Sequence, residues 1–339
     1  MKNIVRRLII FVIKYSMKTE KHYFAGINSN DGFCNHFSEI NKDTNGYTYI
    51  LKGGPGTGKS TLMKKIGEHF SAQGESVEYY HCSSDPDSLD GVYIPNKNIS
   101  VVDGTAPHVC EASIVMCSEQ IVNLGEYISP SVAQHKRNIE NLLPKKQREF
   151  TIAYDYLKSA GILYHILEET DIADTKNVLT EISTIIDMTP STHYTEKNLF
   201  LSAVDRGGAI SLEQKNEYRR FITLTLSNRA NHQILQELHT LLKNNHVSHY
   251  TFGEILSPAD INSIYVVDDN ILIRSEPSCS TAESRTLTRT ISGLLRLAGK
   301  RISTARKWHK QIERYYRRYI DFPALNQLTQ QLISDIEKR

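Results

Sequence analysis

YTYILKGGPGTGKSTLMKKIGEHF, residues 47–70, is the stretch whose reading decides the fold. The apolar run 47–51 predicts a strand. KGGPGTGKST (52–61) matches GxxxxGK(S/T) at Gly53, Gly58, Lys59 and Ser60. Leu62, Ile66 and Phe70 recur every four residues and predict a helix over 59–73. Glycines allow successive backbone N–H groups to turn inward as an anion nest. The helix that follows points its positive end at the same anion. Lys59 then reaches the β- and γ-phosphates, and the Ser60 hydroxyl ligates Mg²⁺. Gly53, Gly54, Pro55, Gly56, Thr57, Gly58, Lys59, Ser60 and Thr61 are thus the expected nucleotide-binding residues, with Lys59 also catalytic.

Magnesium needs a second ligand at the end of a neighbouring strand. ISVVDGT (99–105) supplies one: four strand residues, then Asp103. HCSSDPDSLDGVYIP (81–95) crowds Asp85, Asp87 and Asp90 into a predicted loop between strands 77–82 and 99–102. One of them would position water or accept a hydroxyl proton. The other reading is a solvated turn built on Asp-Pro and Asp-Gly. His108, in DGTAPH, is either a γ-phosphate sensor or a structural hydrogen bonder. The guanine-reading NKxD tetrad and an LSGGQ-like signature are both missing, so adenine is expected by elimination.

The sequence repeats itself. KHYFAGINSNDG (21–32) returns as KNLFLSAVDRGG (197–208), 176 positions later. From Tyr49 to Val101 the offset is 172 without a gap, and Pro86, Tyr93, Asn98 and Ile99 fall on Pro258, Tyr265, Asn270 and Ile271. A fixed offset of this kind is the mark of a duplicated unit. The expected fold is α/β, with two duplicated P-loop-type parallel-sheet units and long helical lid or hairpin segments. The expected divisions are a tail (1–20), a nucleotide-binding half (21–195) and a degenerate half (196–339). Each unit is read as a strand at 22–27 followed by a helix, then the strands above. Long helices follow at 131–169, broken at Pro144, and at 286–319, with a last helix at 324–337. In the second half TLSNRANHQ (225–233) stands opposite GGPGTGKST: every loop glycine is lost, Asn231 replaces Lys59 and Ser275 replaces Asp103.

The 339 residues carry a net charge of +2, so the whole molecule is no obvious polyanion binder. Five cysteines without CxxC spacing indicate neither a disulfide framework nor a zinc site. The apolar run 8–13 is too short to span a bilayer, and no small-residue cleavage site follows it. A buried or loosely docked amphipathic tail is expected, with Met17 an alternative start and a cytoplasmic location. The positive charge is concentrated in 285–318, with eleven Lys or Arg against the single acid Glu313. Trp308, Tyr315, Tyr316 and Tyr319 are interleaved, which suits nucleic acid. A lid helix with a solvated face is the favoured reading of the same stretch.

KGGPGTGKSTLMKKIG, HC..DP.SLD, DGTAPH and EQIVNLGEY (119–127) together resemble a poorly characterised bacterial family of P-loop ATPases built from two similar halves. The resemblance is specific over 21–169 and weaker beyond. It implies ATP binding with hydrolysis, and it carries over Gly53, Gly58, Lys59, Ser60 and Asp103 as nucleotide residues. The expected function is a slow ATP hydrolase or ATP-dependent switch using Mg-ATP. Its partner is an unspecified small molecule or protein, and no membrane span is expected. The alternatives are a small-molecule or nucleotide kinase, a nucleic-acid-binding ATPase, and a binding-only ATP sensor.

Overall fold

The computed structural model describes residues 8–12, 20–43, 45–167, 175–276 and 281–339. Met17, Cys279 and most of the 1–20 tail lie outside them. In chain order the first elements are β1 (Leu8–Val12), β2 (Glu20–Tyr23), β3 (Gly26–Ser29), β4 (Gly32–Asn35), β5 (Tyr47–Lys52), α1 (Lys59–Ala72), β6 (Val77–Cys82), β7 (Asp85–Ile94), β8 (Ile99–Asp103) and β9 (Glu119–Asn123). Two helices follow, α2 (Lys136–Leu167) and α3 (Thr175–Ser183). Then come β10 (Glu196–Leu199), β11 (Ser202–Asp205), β12 (Gly208–Ser211), β13 (Arg220–Leu224), α4 (Asn228–Asn244), β14 (His249–Glu254), β15 (Ser257–Val266), β16 (Ile271–Ser275), α5 (Ala282–Arg317) and α6 (Phe322–Lys338).

The fold is mixed α/β. One six-stranded sheet runs β2-β6-β7-β8-β5-β9 and the other β10-β14-β15-β16-β13-β1. The first five places therefore correspond one to one. Each half also carries a two-stranded hairpin, β3-β4 or β11-β12. Contacts between the halves are reciprocal. Phe24 and Phe200 exchange N–H···O bonds of 2.9 and 3.0 Å. Lys197 reaches into the first half, where Glu78 (2.7 Å) and Tyr80 (3.1 Å) receive its ammonium beneath the Tyr93 ring. Lys21 reaches into the second, to the Glu217 carbonyl at 2.6 Å and over the Tyr218 and Tyr265 rings. Tyr23, Tyr80, Tyr250 and Phe252 fill the apolar layer between the sheets.

The long helices cross between halves. α5 extends about 54 Å at 1.5 Å per residue over its 36 residues. It packs along α2, and the chain then places α6 on the first sheet: Leu325, Leu332, Ile333 and Ile336 share a core with Leu62, Ile66 and Phe70 of α1. Likewise α2 leads to α3, whose Val178 and Ile182 complete the core of the second sheet with Ile234 and Leu238. Each core is thus closed by a helix from the other half's sequence.

Four readings of the sequence need correction. The stretch 22–27 is two short strands leading into a hairpin and a 3-10 turn, with no α-helix after it. Residues 85–94 form the strand β7, because pairing with both β6 and β8 satisfies its backbone and buries Leu89, Val92 and Ile94. The bulge at Tyr80–Cys82 absorbs the turn-like Asp-Pro. Neither sheet is purely parallel, since β7 and β15 run antiparallel to both neighbours. Helix α2 continues through Pro144, held by its packing against α5 despite the lost backbone bond. Residues 8–12 of the expected tail form the edge strand β1, antiparallel to β13.

Candidate functional site

The loop between β5 and α1 supplies the first part of the site. Gly56 and Gly58 take φ of +74° and +92°, values that side-chain-bearing residues resist. Gly58 caps α1 without any side-chain hydrogen bond, so the first N–H groups of this 14-residue helix open toward the loop. Lys59 folds back onto the Gly53 and Gly54 carbonyls at 2.6 and 3.1 Å. Thr57 is buried and donates to the Gly54 carbonyl at 2.9 Å, while Thr61 is exposed. The Ser60 hydroxyl accepts the Leu89 N–H at 2.9 Å, which ties α1 to β7.

The second part stands at the end of β8. Asp103 Oδ1 is fixed by the Thr105 N–H at 2.9 Å and the Thr105 hydroxyl at 2.6 Å. Oδ2 faces the Lys59 ammonium at 3.6 Å. His108 is buried, stacked on Phe37 at 4.4 Å between centroids. Its Nδ1 donates to the Asp103 carbonyl at 2.8 Å, which leaves Nε2 facing Asp90 Oδ2 at 3.7 Å. Burial, partly countered by His108, pushes the Asp90 carboxyl up to about 6. Asp90, Asp103 and His108 offer ligand atoms within 4.8 Å of one another. The two carboxylates in this cluster give it oxygen donors of the kind that suit Mg²⁺.

Of the other sequence candidates, Asp85 and Asp87 leave this corner. Asp85 pairs with Arg306 at 2.5 Å and Lys310 at 3.5 Å, and Asp87 with Arg306 at 3.3 Å. These cations belong to α5, whose last turns roof the loop. A β-carbon on Gly56 would stand 3.0 Å from the backbone of Glu313, and one on Gly54 would stand 3.6 Å from the Tyr316 ring. Burial raises the Glu313 carboxyl above the usual range, and Asp85 adds to it. Burial, then Lys146 and Lys59, lower the His309 imidazole to about 4. The sequence reading missed Glu313, His309 and Arg306 as neighbours of the loop. The one signal was Glu313 as the sole acid in 285–318.

In the second half the equivalent loop is closed on itself. Helix α4 begins at Asn228, three positions before the counterpart of Lys59, and Ser227 caps it by accepting from the Ala230 N–H. Asn231 is fully buried, and its amide donates to Ser275 Oγ at 2.9 Å and the Leu224 carbonyl at 3.2 Å. A neutral Asn–Ser pair thus stands where the first half has Lys59 and Asp103.

A protein-family model described as Nephrocystin 3, N-terminal, matches residues 33–93, less than half of the chain but including the whole glycine loop. Neither the curated proteins nor the solved structures yield a match to this chain. Among the described residues no helix is long and apolar enough to cross a membrane.

Proposed function

We propose that this chain is a P-loop ATPase built from two duplicated units, with one Mg-ATP site in the first and none in the second. The carrying observation is the left-handed Gly56 and Gly58, which leave uncapped α1 N–H groups beside Lys59 and Asp103. The shared strand order and the reciprocal Phe24–Phe200 and Lys21/Lys197 contacts support duplication about a local two-fold axis. Ser60 and Asp103 would hold the magnesium, which supplies charge neutralisation of the phosphates. Lys59 would leave its loop carbonyls for the β- and γ-phosphates. Asp90, ionised above pH 6, is assigned as acceptor of the nucleophile's proton, with His108 holding its position.

The roof of α5 favours a switch over a freely cycling hydrolase, because nucleotide entry requires Glu313 and Tyr316 to lift. Titration calorimetry with Mg-ATP should give one site per chain. Lys59→Ala should weaken it by about 10–100-fold, the worth of a charge-assisted phosphate contact. Two equivalent sites, or binding indifferent to Lys59→Ala, would refute the assignment. Phosphate release without any acceptor supports hydrolysis. ADP formation only with an added metabolite would replace hydrolase by kinase.

A further inference from the structure

The second half holds a cluster that the nucleotide site does not use. Glu196 at the start of β10, His239 in α4 and His249 at the start of β14 bring a carboxylate oxygen and two imidazole nitrogens within 4.8 Å of one another. His249 is fully buried. Its Nδ1 donates to the Val247 carbonyl at 2.7 Å, so Nε2 presents a lone pair. That lone pair faces His239 Nδ1 at 2.9 Å. On the far side of the same ring, His239 Nε2 faces Glu196 Oε1 at 3.8 Å. Lys243 Nζ stands 3.2 Å from the same oxygen, on a mostly exposed side chain free to swing away. The other Glu196 oxygen accepts from the Tyr194 hydroxyl at 2.8 Å, the kind of outer contact that orients a ligating carboxylate.

The first half shows what this cluster replaced. Glu196 pairs with His249 in the same register as Glu20 with Val77. Under the 172-residue offset, His239 stands at Gly67 and Thr251 at Tyr79. The Tyr79 ring lies against Gly67, 2.4 Å from where a β-carbon would sit. In the second half the tyrosine ring is gone and a second imidazole occupies the helix position opposite. Valine, glycine and tyrosine have become two histidines and a threonine, which exchanges an apolar packing set for a nitrogen-bearing one.

We propose that Glu196, His239 and His249 bind one divalent transition-metal ion of the zinc class, with water completing the coordination. Two imidazoles and one carboxylate with an open position are a zinc donor set, whereas magnesium and calcium prefer all-oxygen sites. Insertion of the metal replaces the hydrogen between the two rings and opens their N···N distance to about 3.3 Å, as two Zn–N bonds require, while Glu196 turns from the Nε2 edge of His239 to the Nδ1 side to join the same ion. The proposal does not rest on the nucleotide reading.

The test uses the full chain without a histidine tag, stripped with EDTA and titrated with Zn²⁺ by calorimetry. Co²⁺ titration followed by visible ligand-field absorption runs in parallel. One ion with low-coordinate Co²⁺ bands is expected. His239→Gln and Glu196→Gln, both on partly exposed positions, should each lose at least about tenfold in affinity. Lys243→Met should tighten binding, because it removes the competing ammonium; a merely structural cluster would not respond so. Asp103→Asn should leave it unchanged. Absence of Zn²⁺ binding by the folded wild type would overturn the proposal. So would affinity unaltered in both His239→Gln and Glu196→Gln, or affinity lost in Asp103→Asn instead.

Discussion

The two halves begin their main helix differently, and the difference separates an open glycine turn from a capped one. In the first, the chain turns through left-handed glycines and α1 starts only at Lys59, with its N–H groups uncapped. In the second, three more residues are wound into α4 and Ser227 caps it. The Lys59–Asp103 pair sets opposite charges 3.6 Å apart, whereas Asn231–Ser275 is a neutral hydrogen bond closed at 2.9 Å. Sheet order survives this change because it is fixed by apolar strands, which both halves keep. The proposed anion site has no equivalent there, because N–H groups satisfied by a cap are not available to a ligand. The second half differs in the opposite direction at Glu196, His239 and His249, with nitrogen donors where the first has apolar packing.

The sharpest way to break the comparison is to separate the halves. A chain ending at residue 195 loses Leu325, Leu332, Ile333 and Ile336 from the first core. Removing even one such side chain costs about 2–5 kcal/mol, so losing four exceeds the usual stability of a domain. The fragment should show no cooperative thermal transition by circular dichroism. A folded fragment would mean that the crossed helices are dispensable.

The two reciprocal lysines give the next contrast. Lys197→Met leaves Glu78 buried without its cation and should cost about 3–5 kcal/mol in urea unfolding. Lys21→Met removes a bond to a carbonyl and an amide, and should cost only about 1–2 kcal/mol. Equal losses would show that the halves are braced alike.

Burial lowers Lys21 to about 8 in the folded chain, against 10.5 for the free side chain. Between those values the unfolded state binds more protons, so folding gains stability as pH rises from 8 to 10.5. The stability of wild type minus that of Lys21→Met should therefore increase across this window, by on the order of 1–3 kcal/mol. A flat difference would mean that Lys21 is solvated.

The roof offers the smallest effect. Glu313 places a carboxyl over an anion site, so Glu313→Gln should tighten ATP about fivefold, on the order of 1 kcal/mol of relieved repulsion. The comparison change Tyr164→Phe, which removes a hydroxyl 3.5 Å from His232 in the second half, should leave ATP affinity unchanged. Equal responses to both changes would show that roofing does not distinguish the halves.

Local sequence was enough for the β5–loop–α1 unit. The glycine spacing, the apolar run before it and the four-residue period after it each depend on nearest neighbours in the chain, and helix α1 ends within a residue of its expected limit. The similarity at a fixed offset was equally legible in the sequence, and the two sheets share the order of their first five places. Local rules failed at β7, where Asp-Pro and Asp-Gly signal turns but two flanking strands supply a full hydrogen-bonding ladder. They failed again at Pro144, where packing of one helix on another outweighs a lost backbone bond.

The sequence by itself determined the glycine loop with its lysine and the lack of both in the second half, since these depend on residue type at positions a few residues apart. Tertiary structure alone decided which acids face that loop. Asp90 points to Asp103 through His108, while Asp85 and Asp87 are drawn off by Arg306 and Lys310, more than two hundred residues away in the chain. It also decided that α6 closes the first core and α3 the second. The reason is physical: an apolar helix face specifies that it must be buried, but the hydrophobic effect is non-directional and names no partner.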